Sequence, residues 1–480
     1  MSEINWQYVL GPILLSEAAG ANDRTPAVIS QADLNDLEKA IGQYSPRAVR
    51  LRPSINTVDL PFVTERIPWF ARGRWLVESK CRPGAFLSYG AGDYYIQDAG
   101  SMLALALCDV QPGQWVCDTC AAPGGKSSGL LEELCGTGLV VSNEVIRSRL
   151  EILELTLART GHSNYVVVNS EVEALAKMCS DSFDCVIVDA PCTGQSMIAR
   201  GKQSLAAFSA KQVEHSAARQ QRILRAAAEL VKPGGRLVYS TCTFAFAENE
   251  AMIESLRSEH PDWSPVNDPK LASWASPIYE GCYRLWPHRD RCAGAFAAAL
   301  VRPENLAPMD LAFNLNNASG QRFRYQGRSN SPQFIPVDLF AQEIPWLKST
   351  NSQPIRLWQR GSELHYFASC TPVDWIESPS NVTVSGVPIA EMRGGEWQPR
   401  YAASIVKIAE FSPASKFEIS NSQVAEYLAG AAVRLTPPFV EPPMAWNKLT
   451  WLGRPIAWSK YTGGVLKNHL PKALRKLNLT

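Results

Sequence analysis

The 480-residue chain contains no apolar run approaching the ~20 residues that a membrane-spanning helix requires; Ala295 to Val301 is typical of its longest. The N-terminus lacks a basic-then-apolar signal pattern, so a soluble, cytoplasmic protein is expected. Twelve cysteines are too few and too irregularly spaced for a disulfide scaffold. Cys117 and Cys120 form one C-x-x-C, but no second pair of similar spacing follows, and no metal is expected. Neither sign of charge is in excess, since 47 Lys and Arg offset 46 Asp and Glu. Internal repeats and low-complexity tracts are also missing. What is present is ordinary globular composition, 46% hydrophobic and 19% charged, in a chain long enough for about three domains of roughly 150 residues.

The distribution of charge says more than its sum. Between Tyr44 and Arg82 stand eight basic residues (Arg47, Arg50, Arg52, Arg66, Arg72, Arg74, Lys80 and Arg82, all after Pro46) against three acidic ones, in company with Tyr44, Phe62, Trp69, Phe70 and Trp75. The last 39 residues carry seven basic side chains and no carboxylate, with Trp446, Trp451, Trp458 and Tyr461 among them. Cations interleaved with rings suit a polyanion whose bases stack. The competing reading for each segment is a solvated surface with core aromatics; two such segments flanking one core favour nucleic acid.

Residues 1–45 read as mainly helical, with Leu34, Leu37, Ala40 and Ile41 on one face after a cap at Ser30. Residues 46–96 read as a small α+β unit, and Gln97 to Asp109 as a helix. From Gln111 to Pro303 short β-branched runs alternate with helical patterns five times: QWVCDTC, GLVVSNE, YVVVNS, FDCVIVDAP and GGRLVYSTC each precede a helix. That alternation predicts βαβ units around a parallel sheet, and strands apolar throughout are expected where helices cover both faces. After Pro303 the rhythm breaks into an Asn-, Ser- and Pro-rich stretch to about 352, then short strands, then a helix from Ser422 to Leu428 closed by Gly430. The expected division is 1–108 for an N-terminal helical and RNA-binding subdomain, 109–303 for a Rossmann-like catalytic domain, 304–395 for a linker and first C-terminal subdomain, and 396–480 for a last RNA-binding domain.

The segment DTCAAPGGKSS (Asp118 to Ser128) lies between the first strand of the alternating region and its helix, where open α/β sheets bind ligands. Gly125, Lys126 and Ser127 match the end of a phosphate-binding loop, but the first glycine of that motif falls on Cys120. A G-x-G-x-x-G dinucleotide loop is absent. Glu144, at the end of the second strand, stands where a ribose diol needs an acceptor, Glu171 ends the third near an adenine position, and Asp189 ends the fourth. A charge at a helix N-terminus explains any one of these acids, but acids after three successive strands fit adenosine without a pyrophosphate, and S-adenosylmethionine is the expected cofactor.

Two cysteines, Cys192 in DAPC and Cys242 in STC, end the fourth and fifth strands and are expected on the ligand-binding edge. Carbon 5 of cytosine is a weak nucleophile until a thiolate adds to carbon 6, so two thiols there suit a cytosine methyltransferase: one attacks and a second assists release. The helix starting near Glu248 is expected to lower the pKa of Cys242.

In this order and spacing, DTCAAPGGKSS, DAPCTG and VYSTCTFAFAENE resemble the Nol/Nop/Sun family of RNA cytosine-5 methyltransferases. LWQRGSELHYFA, GGEWQPRYA, FEISNSQVAEYLAG and WSKYTGGVLKNHLPKALRKL are similar to the C-terminal extension of bacterial RsmF-type 16S ribosomal RNA methyltransferases, which ends in a PUA-like fold. PRAVRLRP resembles the opening of the family's N-terminal RNA-binding subdomain. The resemblance implies a class I S-adenosylmethionine methyltransferase core, with Cys242 as nucleophile, Cys192 promoting release, Asp189 on the cytosine edge and Lys126 orienting the base. It implies cofactor contacts from Cys120, Ala121, Ala122, Pro123, Gly124, Gly125, Lys126, Glu144, Arg149, Glu171 and Asp189. Glu171 stands where the family has Asp, and Ser196 replaces a glycine. The expected substrate is RNA, ribosomal RNA or the small ribosomal subunit, acted on by a monomer; the alternatives are a transfer RNA cytosine-5 methyltransferase, a DNA methyltransferase and a catalytically inactive RNA-binding assembly factor.

Overall fold

A computed structural model describes residues 4–14, 29–43, 46–276, 278–304, 333–339, 343–350, 355–377, 382–435 and 444–475. Near the N-terminus, α1 (Trp6–Leu10) is followed by α2 (Gln31–Ile41), which starts at Ser30 as expected. The Ser30 hydroxyl accepts from the Asp33 amide (3.2 Å) while the Asp33 carboxylate accepts from the Ser30 amide (3.1 Å), a reciprocal cap. Leu34, Leu37 and Ile41 then bury with Trp6, Val9 and Leu10 against Phe208, Phe244 and Trp286. This cluster sits behind the segment that carries Cys242.

The expected α+β unit is a four-stranded sheet, β1 (Ala48–Leu51), β2 (Thr64–Arg66), β3 (Gly73–Leu76) and β4 (Tyr94–Ile96), in the order β2-β3-β1-β4, with a short α3 (Leu87–Gly90). Five of its eight basic residues and its described aromatics are turned to internal partners instead of forming an open nucleic-acid surface, while Arg66, Lys80 and Arg82 stay exposed. Arg50 is fully buried, Arg52 and Arg72 join it around Glu132, and Arg47 and Arg74 bind backbone carbonyls. Phe62, Trp69, Phe70 and Trp75 are core. Tyr44 lies outside the described residues. At the other end of the chain Trp446, Trp451 and Trp458 are likewise buried as core, while Lys467 and Lys472 stay exposed. Indole rings are the largest apolar surfaces these small sheets have to cover.

The helix expected over Gln97–Asp109 is shorter. The Asp98 carboxylate accepts from the Gly100 amide (2.9 Å) and pairs with Arg200 (2.8 Å), holding 97–99 out of the helix. A single 3-10 turn then leads into α4 (Leu103–Cys108).

The alternating region forms the central sheet: β5 (Trp115–Asp118), α5 (Gly125–Glu133), β6 (Leu139–Asn143), α6 (Leu150–Ala158), β7 (Tyr165–Asn169), α7 (Val172–Met178), β8 (Phe183–Asp189), α8 (Ala210–Leu230), β9 (Val231–Thr241), α9 (Glu250–Glu259), β10 (Ser264–Pro265), β11 (Cys282–Leu285) and β12 (Ala295–Val301). Strands β9-β8-β5-β6-β7 are parallel and neighbours in that order, with β12 antiparallel to β9. All five residues of β6 are buried, as a sheet covered on both faces demands. Strand order reverses between β5 and β8, so the loops after these two strands diverge and leave a crevice at their carboxyl ends.

Residues 305–332, much of the Asn- and Ser-rich stretch, lie outside the described residues. Beyond them come β13 (Ile335–Leu339), β14 (Leu347–Ser349), β15 (Ile355–Arg360), β16 (Glu363–Tyr366), α10 (Val373–Glu377), β17 (Thr383–Ser385), β18 (Val387–Arg393), β19 (Glu396–Pro399), α11 (Tyr401–Ile405), β20 (Phe411–Pro413), β21 (Lys416–Glu418), α12 (Asn421–Leu428), β22 (Val433–Arg434), β23 (Trp446–Trp451), β24 (Arg454–Thr462) and β25 (Val465–Asn468). β13-β15-β16-β18-β19 and β21-β23-β24-β25-β22 form two five-stranded sheets. β17 instead pairs with β7, so the expected boundary at 303/304 does not divide the sheets: a segment assigned beyond it completes the catalytic sheet. An Arg454–Asp93 pair (2.8 Å) ties the last sheet to the N-terminal unit.

Candidate active site

The loop after β5 is shaped by its glycines and by Asn143. Gly124 has φ +103°, and a Cβ there would stand 2.9 Å from Thr156. The Asn143 side chain donates to the carbonyls of Thr119 and Ser170 (both 3.0 Å), and its carbonyl accepts from Ala121 (2.7 Å), lacing the ends of β5, β6 and β7 together. Arg50 reaches in from β1 to the Gly125 carbonyl (2.5 Å) and the Ser128 hydroxyl (2.7 Å), so the N-terminal sheet braces the first turn of α5. Gly124→Ala is expected to cost about 1–3 kcal/mol through backbone strain and the Thr156 clash, read as a lowered unfolding free energy in urea titration.

Around this loop the predicted residues take the following places. Glu144, buried just beyond β6, accepts from the Ile146 amide (2.8 Å) and pairs with Arg149 (3.0 Å), which also donates to the Ala122 carbonyl (2.5 Å). Arg149 thus links the acid to the loop. Glu171 lies on the same edge, more than half exposed, against Arg222 (3.4 Å). It is the N-cap residue of α7, and its carboxylate makes no capping bond there, so only its charge serves the helix. Asp118 is fully buried, accepts from the Ser127 hydroxyl (2.6 Å), and is pushed up to about 6 by burial.

Across the crevice, Asp189 at the end of β8 pairs with Lys126 (2.6 Å) and accepts from Ser240 (2.9 Å). Lys126 is held by this carboxylate above its ordinary range despite its burial, and also donates to Ser101 (3.3 Å). The Cys192 and Cys242 sulfurs are 3.3 Å apart. The Cys242 thiol is lowered, first by the hydrogen bond from Cys192 and then, against burial and Asp189, by the Lys126 ammonium. Cys192 moves the opposite way, raised by the same bond and by burial. Cys120 is pushed up to about 12 by burial and Asp118. The helix invoked in the sequence reading, α9, begins at Glu250, after a 3-10 turn from Phe246 to Glu248.

The site has members that the sequence reading missed. Thr193 and Thr243, each directly after a crevice cysteine, meet at 2.9 Å and both donate to Glu248. The repeated Cys-Thr pair is the signal that pointed to them. Ser196, in the position where the family has glycine, donates its amide to the Cys242 carbonyl (3.1 Å).

A glycine loop at the switch point of a Rossmann-like parallel sheet defines the class I methyltransferase fold. Comparison with known proteins narrows this. Residues 104–301 match the family described as 16S rRNA methyltransferase RsmB/F, and residues 414–476 match the methyltransferase RsmF PUA domain. The chain is 28% identical over 423 residues to the ribosomal RNA small subunit methyltransferase F of Erwinia tasmaniensis, covering 85% of this chain and 84% of that protein. The protein of the same name from Escherichia coli O81 is 27% identical over the same coverage. In fold, the chain is similar to the protein PH0851 (TM-score 0.51, 24% identity), spanning 56% of this chain and 62% of that one. It is also similar to NSun6 from Pyrococcus horikoshii (TM-score 0.50, 17% identity), spanning 57% of this chain and 95% of that one.

Proposed function

We propose that the protein transfers a methyl group from S-adenosylmethionine to carbon 5 of a cytosine in RNA, with 16S ribosomal RNA as substrate. The observation that carries this reading is the 3.3 Å approach of two thiols of opposite character beside the Lys126–Asp189 pair. A transferase acting on an already nucleophilic nitrogen or oxygen needs no thiol. Carbon 5 of a pyrimidine needs one, because addition of a thiolate at carbon 6 makes it enamine-like.

The residues fit the cofactor. The glycine turn leaves room for a ligand at the backbone, the Glu144 carboxylate is an acceptor for a ribose diol, and Glu171 lies on the adjacent strand end. With Cys120 to Lys126, Arg149 and Asp189 these are the groups that would hold it. Bound there, S-adenosylmethionine supplies an electrophilic methyl on a sulfonium. Cys242, the thiol with the lowered pKa, adds to carbon 6 while Lys126 and Asp189 orient the base through its polar edge. Once carbon 5 is alkylated its proton passes to the Asp189 carboxylate or to water, the freed electron pair re-forms the carbon 5–carbon 6 double bond, and the Cys242 sulfur–carbon bond breaks to return the aromatic ring and the thiolate. Cys192, in hydrogen-bond contact with the departing sulfur, promotes that release.

The choice of substrate is supported by the match of residues 414–476 to the RsmF PUA domain and by relatives whose names specify ribosomal RNA. Incubation of the protein with labelled S-adenosylmethionine, and with matched RNA or DNA oligonucleotides carrying the small-subunit sequence, is expected to give 5-methylcytidine in the RNA alone, read by nucleoside mass spectrometry. Label on another base, or equal labelling of DNA, overturns the assignment.

A further inference from the structure

Glu248 is fully buried, and among the described residues no cation pairs with it. Its partners are uncharged donors. Thr193 donates its hydroxyl to one carboxylate oxygen (2.5 Å) and its amide to the other (2.9 Å), Thr243 donates its hydroxyl (3.2 Å), and Gln220 on α8 donates its side-chain amide (2.9 Å). Tyr239 on β9 donates to the Glu248 carbonyl (2.7 Å), which fixes the backbone beneath the carboxylate. A buried carboxylate without a counter-charge is expensive to keep, and apolar packing would fill the same space. The reason for this one lies in what it joins: its oxygens bind the residue after Cys192 and the residue after Cys242, from loops that no strand pairing connects.

The joint is also electrically one-sided. Lys126 stands beside Cys242, whereas the Glu248 carboxylate is felt by Cys192. The other titratable groups nearby are Asp189, Tyr239, and Tyr8 from α1; Arg219 on α8 binds the Pro191 carbonyl (3.2 Å). We infer that Glu248 is a positioning residue that holds the two cysteine loops in register and assigns the attacking role to Cys242. This deepens the function proposed above and rests on it. Burial raises the Glu248 pKa against the bonds from Thr193, Gln220 and Thr243, and its carboxylate form, linked to Thr193 through both oxygens, favours Cys192 as the hydrogen-bond donor and its neighbour as acceptor and thiolate.

The test needs neither RNA nor cofactor. The free protein is alkylated with iodoacetamide between pH 6 and 9, and modification of Cys242 and Cys192 is followed separately by peptide mass spectrometry. In the wild type Cys242 is expected to react at least ~10-fold faster near neutral pH, because thiolate fraction governs the rate. Glu248→Gln, which removes the charge and keeps the shape, is expected to narrow that ratio by ~3-fold or more as the Cys192 thiolate becomes accessible at lower pH. Thr193→Val strips the carboxylate of one donor and favours its neutral form, so it moves the ratio the same way; it takes the place of Glu248→Gln should that variant not fold. A folded variant with an unchanged ratio and unchanged pH profiles overturns the inference. Failure of the functional reading is separate: full methylation of RNA by Cys242→Ala would overturn Cys242 as the nucleophile and leave the wild-type and Glu248→Gln alkylation ratios unaffected.

Discussion

Cys242→Ala is expected to lower methyl transfer to RNA by ~10³-fold or more, as loss of a covalent nucleophile does when the rest of the site survives. Cys192→Ala is expected to leave a different trace. The adduct still forms, but its release is slowed, so protein and RNA remain joined through Cys242 and migrate together in a denaturing gel. Removing Cys192 also removes the hydrogen bond that lowers the Cys242 pKa, so adduct formation in this variant should shift to higher pH. The sign follows from the nucleophile being the deprotonated form: a higher pKa leaves less of it at neutrality. Single-turnover rates measured from pH 6 to 9 for the wild type and both variants check all three statements. Equal adduct yields in Cys192→Ala and Cys242→Ala would break the division of labour.

Glu132 has the largest expected effect on stability. Its carboxylate, 1% exposed, binds Arg50 at both oxygens (3.0 and 3.1 Å), Arg72 (2.9 Å) and Arg52. Burial alone would raise its pKa, but Arg50 and Arg52 overcome burial and hold the group below its ordinary range. Glu132→Ala leaves the fully buried Arg50 without its counter-charge, a loss of about 3–5 kcal/mol. Because the folded-state value is depressed, the stabilisation is complete above the ordinary carboxylate value of 4.5 and is lost as pH falls through the lowered one. Unfolding free energies from urea titration should therefore separate wild type from variant most above pH 5, with the gap closing in acid. Arg50 also touches Gly125, so the variant should loosen the cofactor loop, read as faster amide exchange across residues 120–126.

What the sequence made legible is what local chemistry determines. The Ser30 cap, the five strand-helix units and the placing of Cys192, Cys242, Lys126 and Asp189 on one edge follow from periodicity and from where a parallel sheet ends. The basic N-terminal stretch was misread because a segment's composition cannot show its partner. Arg50 and Arg52 answer to a glutamate some eighty residues downstream, and before folding an arginine meant for a buried carboxylate looks like one meant for a phosphate. The Glu248 joint escaped for the same reason. Its fifty-five-residue reach to Thr193 has no periodic trace, although the threonine after each cysteine hinted at it. The acid expected to start a helix and so tune Cys242 instead bridges the two loops.

Strand β17 carries a consequence for how the molecule is made. Thr383–Ser385 lies along Asn169–Val167, so the outermost member of the catalytic sheet is synthesised long after the strand it shields. Until then β7 offers unsatisfied amides and carbonyls to any extended chain nearby. The nascent polypeptide is thus expected to pass through an adhesive stage, and maturation of the central sheet is coupled to synthesis of the C-terminal half.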